Sequence, residues 1–468
     1  MKLNRPWFPN RRTASTVSGF LLMLSLISKT EAQQQTSPDT VFTISSRGLT
    51  SSAIVASPYP ERREFLSLLP GVIELNGALH IRGGRQYDIG YAIDGAPVTN
   101  RFSGTSELHV IPEAIEELTL ERSALGLDCG FATSGLVSTR MRKGGDELKV
   151  RATVLTDNIV KTGNEFLKTT SFGYRTSILT AEGTVPFAEG IRFFLAGENH
   201  YVRNKQAMFL DAFRYDSLRT DQGDGRPGSL LPGSITFSQN FIPNNWNERN
   251  TFNGTLAYDG LPVRLALSGI YQVKTFTEGA EWPTALVRIF NQWRVPRRQI
   301  TSGFFTLAGS TTLEEMIDFD ASITHYARSS RMFDPDFGEE WTLYSDSIAN
   351  AQRGYTEFRS RWEPPLDYSV IEGFRIRHPS APNPSYSKDD QSVWIFSAKA
   401  AVHPFDSWTI TVGGSYERWT MRRFSVENEE DEVSVRMGRS NSAVVFESAR
   451  TKIAPGLHRA YQSLRIRC

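Results

Sequence analysis

Residues 251–274 read Thr-Phe-Asn-Gly-Thr-Leu-Ala-Tyr-Asp-Gly-Leu-Pro-Val-Arg-Leu-Ala-Leu-Ser-Gly-Ile-Tyr-Gln-Val-Lys. Phe252, Leu256 and Tyr258 alternate with Thr251, Asn253, Thr255 and Ala257. Asp259-Gly260 then marks a tight hairpin. On the return, Leu261, Val263, Leu265, Leu267, Tyr271 and Val273 alternate with Arg264, Ser268, Gln272 and Lys274. This is the period of a β-strand, with one face apolar and the other polar. The apolar face runs for a length that suits a membrane strand of about 9–11 residues.

Outward from this hairpin the design repeats. Residues 149–158 predict a first strand. Residues 172–185 and 191–203 pair across Val185–Gly190, 299–309 and 313–328 across a short Gly-Ser-Thr turn, and 391–402 and 408–421 across His403–Asp406. With 250–259 and 261–274 this makes nine strands. The turns inside hairpins are short, while 204–247, 277–298 and 329–390 are long and polar. That asymmetry is the signature of an outer-membrane barrel. A soluble β-sandwich also alternates, but its strands run about 5–6 residues. Alternation fades beyond Arg423: the acidic run Glu427–Glu432 suits an external loop, and 444–468 lacks a clean pattern. The expectation is a partial barrel over 146–423 and a tail over 424–468.

The chain has 468 residues, 39% hydrophobic and 22% charged, with a net charge of +1. This balance suits an ordered chain and gives no basic footprint for nucleic acid. Two cysteines, Cys129 and Cys468, are too few for a disulfide framework. Residues 1–32 read as a secretory signal peptide: Lys2, Arg5, Arg11 and Arg12 precede an apolar run from Val17 to Ser28, and Thr30 and Ala32 sit at the −3 and −1 positions of a cleavage site. No later window approaches the roughly 18 apolar residues of a membrane helix. Membrane residence therefore requires a closed barrel. Residues 33–60 read as a linker, within which Asp39, Thr40, Val41, Phe42, Thr43 and Ile44 form a strand-prone segment able to add to another protein's sheet edge.

Residues 61–145 have a different character. Glu61–Leu69 has helical spacing, with Pro70-Gly71 stopping it. Short strands follow at Leu79–Arg82, Ile89–Ile93 and Leu118–Glu121, and Pro112–Glu117 reads as the start of a one-turn helix. Arg82-Gly83-Gly84 marks a tight bend and Asp94-Gly95 a hairpin, with Pro97 stiffening the exit.

The stretches Leu69-Pro70-Gly71-Val72, His80–Gly84, Tyr91–Val98, Val110–Leu118, Gly130–Gly135 and Lys143-Gly144-Gly145 jointly resemble, in order and spacing, the plug domain of TonB-dependent outer-membrane receptors. The chain departs from that family at Ser123, where a glycine is common, and at Asp128-Cys129, where an acidic-aromatic pair is common. The resemblance implies an α+β plug followed by antiparallel transmembrane β-barrel strands, here an incomplete barrel of about nine or ten. It implies that Asp39–Ile44 is a TonB box and that Arg82, Gly83, Gly84, Asp94, Gly95, Pro97, Glu116, Glu117, Gly130 and Gly135 are plug motif residues. Arg82, Arg85, Glu116 and Glu117 are candidates for ion pairs with the barrel wall, or for holding the plug together. The implied partners are the periplasmic TonB protein, the barrel assembly machinery, outer-membrane lipid and a small ligand that the sequence does not name.

No H-E-x-x-H, G-x-S-x-G, Walker A or paired C-x-x-C occurs, so no enzyme, cofactor or resident metal is expected. Asp334-Pro-Asp336-Phe-Gly338-Glu339 is rich in oxygen ligands but lacks calcium-loop spacing. A plug needs a wide lumen, and plugged transporters have 22 strands. Nine or ten therefore predict a curved, unclosed sheet beside the plug, and a chain truncated relative to the family. Two other readings stay open: a receptor fragment without transport activity, and a secreted β-rich enzyme or adhesin.

Overall fold

The computed structural model describes residues 46–426 except 56–61, 76–77, 123–131, 159–164, 167–168, 172, 189, 204–212, 221–229, 238–243, 261, 280–286, 289–290, 314–315, 356–357, 359, 362–367, 372–373, 379, 383–384 and 406–407, and beyond that span 445–447 and 463–467. The predicted signal peptide, the Asp39–Ile44 segment, Gly130 and the acidic run at 427–432 lie outside the described residues.

The plug is a five-stranded sheet with short helices. β1 (Ser46–Thr50) runs into α1 (Ser51–Val55), followed by α2 (Arg62–Ser67) and the hairpin of β2 (Val72–Leu75) and β3 (Ala78–Ile81). β4 (Ile89–Ile93), β5 (Ala96–Pro97), β6 (Ile115–Glu121) and β7 (Gly135–Met141) complete it, in the order β1-β6-β7-β4-β5. β4 is buried along its whole length and lies parallel to β7, which explains its unbroken apolar run. Pro112–Ala114 forms one 3₁₀ turn, and the strand starts at Ile115. One boundary differs from the sequence reading. Ser46–Val55, expected as linker, belongs to the plug, because β1 pairs with β6 from Ser46↔Glu121 to Thr50↔Glu117. Without it the β6 edge would carry unpaired backbone groups.

All nine strands predicted from alternation are present as one antiparallel sheet. They are β8 (Lys149–Thr156), β9 (Tyr174–Thr184), β10 (Ile191–Val202), β11 (Asn247–Asp259), β12 (Val263–Thr277), β13 (Arg297–Leu313), β14 (Ile317–Phe333), β15 (Tyr386–Phe405) and β16 (Trp408–Val426). Each pairs with its neighbours in sequence order. The sheet does not close: β8 forms one edge, and residues 445–447 and 463–467 lie along β16 at the other. Part of the tail over 424–468 thus adds to the wall, although its sequence does not alternate.

Two loop expectations are corrected. The turn placed at Gly309-Ser310-Thr311 is strand, since β13 runs on to Leu313, with Gly309 opposite Ala321 and Leu313 opposite Ile317. Thr311 and Thr312 are β-branched and extend the strand readily. The long segments 204–247 and 329–390 contain hairpins of their own, at 213–237 and 368–377.

Burial across the wall is inverted relative to a soluble sheet. On β11, Phe252 is 59% exposed whereas its neighbour Asn253 is 3% exposed. Leu195, Leu256, Tyr271, Phe305, Leu307, Ile323, Trp394 and Tyr416 also face outward, whereas Thr251, Thr255, Gln272, Ser302, Thr306 and Gln391 are buried inward. Apolar groups outside and polar groups inside are what a lipid-facing wall around a polar interior requires. A belt of inward apolar residues, including Phe194, Ile270, Phe304 and Val393, joins the plug core in one cluster with Leu108, Ile111 and Ile115.

Candidate functional site

The plug meets the wall along one strap of chain, Thr99 to Ile111, which crosses the inner face from β16 to β10. At the β16 end, Arg101 stacks its guanidinium on Trp419 at 4.6 Å and lies 3.9 Å from Glu417. On β15, Gln391 accepts the Arg101 N–H at 2.8 Å and donates to the Thr99 carbonyl at 3.1 Å. On β14, Arg328 is ion-paired with Glu107. On β12, Gln272 accepts the His109 N–H at 2.7 Å and donates to the Glu107 carbonyl at 3.1 Å. On β11, Asn253 accepts the Ile111 N–H at 3.1 Å.

At its far end the strap enters a buried charge cluster. Arg249 of β11 donates Nε and Nη2 to Glu198 Oε1 of β10 at 3.1 and 3.0 Å. His109 Nε2 lies 3.3 Å from Glu198 Oε2 and 3.2 Å from Arg249 Nη2. Glu113, one turn further along the plug, is buried, and that burial raises its carboxyl above the usual range, opposed by His109 and Arg151. A second contact lies lower, where Arg142 pairs with Glu182 of β9 at 2.9 Å and covers the Phe194 ring.

The predicted motif residues divide clearly. Asp94 and Gly95 have φ of 47° and 82°, the left-handed pair of a type I′ turn, which closes β4 onto β5 with Ile93 opposite Ala96. Asp94 also accepts the Met141 N–H at 2.9 Å. Burial raises its carboxyl, and the Met141 amide and the Ser268 hydroxyl of β12 oppose that rise. Gly84 permits the bend after β3 to pack on Ser134, whose Cβ would stand 2.3 Å from any Cβ at that position. Gly135 lies equally close to Ile81.

The expectation of wall ion pairs for Arg82, Arg85, Glu116 and Glu117 is corrected, because all four are engaged within the plug. Arg82 donates to the Arg122 carbonyl, the Arg85 N–H to Asp88, and Arg140 lies 3.8 and 2.7 Å from Glu116 and Glu117. They lie on the plug's own turns and sheet, away from the strap. The groups that reach the wall, from Thr99 to Ile111, fall between two quoted motifs and carried no motif signal. Their wall partners were legible only as the polar half of each alternating strand.

Asp334 is also reassigned. Its carboxylate accepts from Arg294 Nε and Nη2 at 3.3 and 3.1 Å, with both side chains fully buried, and Asp336 accepts from the Tyr355 hydroxyl. These oxygens hold two loops together and have no arrangement suited to calcium. Among the described residues no group of three or more His, Cys, Asp or Glu side chains could hold a metal ion.

No protein-family model and no curated protein matches the sequence. Solved structures do match. The outer-membrane transporter YddB from Escherichia coli superposes with a TM-score of 0.52 at 12% identity, covering 81% of this chain and 48% of that one. This is the fold of a TonB-dependent outer-membrane receptor. The FrpB iron transporter from Neisseria meningitidis gives 0.49 at 11% identity, covering 82% and 50%, and the ferric enterobactin receptor PfeA from Pseudomonas aeruginosa gives 0.45 at 11%, covering 82% and 60%. The chain thus spans about half the length of YddB. The receptor fold accounts for the inverted wall and for a plug sheet seated on its inner face.

Proposed function

We propose that the protein works as a TonB-dependent outer-membrane receptor that takes up a scarce small ligand without making or breaking bonds. The observation that carries this reading is the strap: one plug segment engages strands from β10 to β16 of a wall that is apolar outside and polar inside. Neither a secreted enzyme nor an adhesin has reason to hold a folded domain against the polar face of such a wall. In this reading residues 1–32 are removed on export, 33–45 link to the plug, and 46–145 form it. The barrel assembly machinery inserts the wall into outer-membrane lipid. Asp39–Ile44 adds as a strand to TonB. Replacing Val41 or Phe42 with proline removes a donor and restricts the backbone, so crosslinking to TonB is abolished in both variants. Undiminished crosslinking in both removes the coupling role from this segment.

A further inference from the structure

The cluster at the β10–β11 end of the strap poses a contradiction for a single nitrogen. His109 Nε2 faces a donor, Arg249 Nη2, at 3.2 Å and an acceptor, Glu198 Oε2, at 3.3 Å. Without a proton it can accept from Arg249, and with a proton it can donate only to Glu198. The protonation state of His109 therefore decides which strand it holds. His109, Glu113, Glu198 and Arg249 are all buried, where an uncompensated charge is costly. Arg249 and Glu198 cancel each other. What remains is one proton to distribute between His109 and Glu113, four residues apart on the plug.

We propose that this one proton is a built-in latch that sets how tightly the plug is held to the wall. With one proton on the His109–Glu113 pair the cluster is neutral. A second proton places a cation beside Arg249 and turns the Arg249–His109 contact into two opposed donors. Loss of the proton leaves two carboxylates, Glu113 and Glu198, facing each other in a buried seam. Either change loosens the strap. Other groups around the cluster leave this count unchanged. Glu107 is ion-paired with Arg328 of β14, and β12 contributes the uncharged Gln272. His200 on β10 contacts the Thr176 hydroxyl and the Tyr174 ring on β9, and Arg151 on β8 acts on Glu113 from a distance. The latch rests on the plug-and-wall fold alone, not on transport, so it stands or falls separately from the uptake reading.

Hydrogen exchange of the full chain in detergent tests it, comparing peptide 107–113 with the plug-core peptide 135–141 from the same sample between about pH 5 and 9. The ratio cancels the intrinsic pH dependence of exchange, and protection of 135–141 reports that each variant is folded. In the wild type the relative exchange of 107–113 is lowest at intermediate pH and rises several-fold towards both ends. His109→Gln removes the acid rise and keeps the alkaline one, and Glu113→Gln does the reverse. A flat wild-type ratio, or both limbs surviving in both variants, overturns the proposal.

Discussion

The Gln272 side chain holds the backbone around His109 as a neighbouring strand would, accepting its N–H at 2.7 Å while donating to the carbonyl two residues earlier at 3.1 Å. Gln391 does the same for Arg101 and Thr99. A primary amide offers a donor and an acceptor side by side, so it can pair with residues i and i+2 of an extended chain. The wall thus reads the strap through backbone geometry at two points about eight residues apart, and through charge at Glu107 and His109.

Replacing Gln272 tests this directly. Leucine leaves one buried N–H and one buried carbonyl unpaired, at about 1–3 kcal/mol each. Glutamate keeps the acceptor, loses the donor and adds a charge. Amide exchange at 107–109 therefore increases from wild type to Gln272→Glu to Gln272→Leu. A leucine variant that exchanges like the wild type would show that Gln272 does not hold the strap.

Much of this architecture was legible in the sequence, for a physical reason. Strand alternation records only which side each residue faces, so the nine wall strands and their pairing order followed from it. The Asp94-Gly95 turn was legible because few residues accept its dihedral angles. The strap was not. Thr99–Ile111 is held by side chains 150 to 300 residues away in some cases, such as Gln391 beneath Arg101, and no local pattern encodes that. The role of Arg294 was hidden likewise, since its partners Asp334 and Asn350 come from a distant loop.

Asp94 gives a pH dependence with a definite sign. Burial raises its carboxyl above the ordinary range, and burial raises Glu113 similarly. A folded state that holds its proton more tightly than the unfolded chain is stabilised below the ordinary carboxylate range and loses that contribution as pH rises through the raised value. The midpoint of plug unfolding therefore falls with rising pH on the alkaline side of that range. Asp94→Asn tolerates the positive φ, keeps an acceptor for Met141 and carries no titrating proton. It reduces the slope of midpoint against pH, and Asp94→Asn with Glu113→Gln reduces it further. An unchanged slope in the double variant, followed by thermal melts in detergent, refutes the assignment.

The outward face separates a membrane wall from a soluble sheet. Leu256 is exposed on β11, beside Phe252 and opposite Leu267 of β12. In lipid, Leu256→Arg costs about 2–4 kcal/mol near the bilayer midplane, whereas in water an arginine at an exposed site is close to neutral. Leu256→Arg is therefore expected to unfold at lower urea in vesicles, with Leu256→Phe unaffected. An arginine variant as stable as the wild type in lipid would place this face in water.

Arg294 tests whether the outer loops act as one body. It reaches from the loop before β13 to Asp334, to Asn350 at 3.0 Å and to the Ser380 carbonyl at 3.4 Å, with the Tyr355 ring 4.2 Å from its guanidinium. Three separate stretches thus converge on one buried cation. Arg294→Met strands the buried Asp334 carboxylate, a loss of about 3–5 kcal/mol for a pair of this kind. Arg294→Lys keeps the charge but cannot match the fork that spans Asp334 and Asn350. Limited proteolysis is therefore expected to open the 334–382 segment fastest in Arg294→Met, more slowly in Arg294→Lys and slowest in the wild type. Adding Asp334→Asn to Arg294→Met removes the stranded charge, so the double variant recovers part of the protection lost by Arg294→Met alone. If the second substitution instead adds its own full loss, Arg294 and Asp334 act independently and the loops are not clamped by this pair.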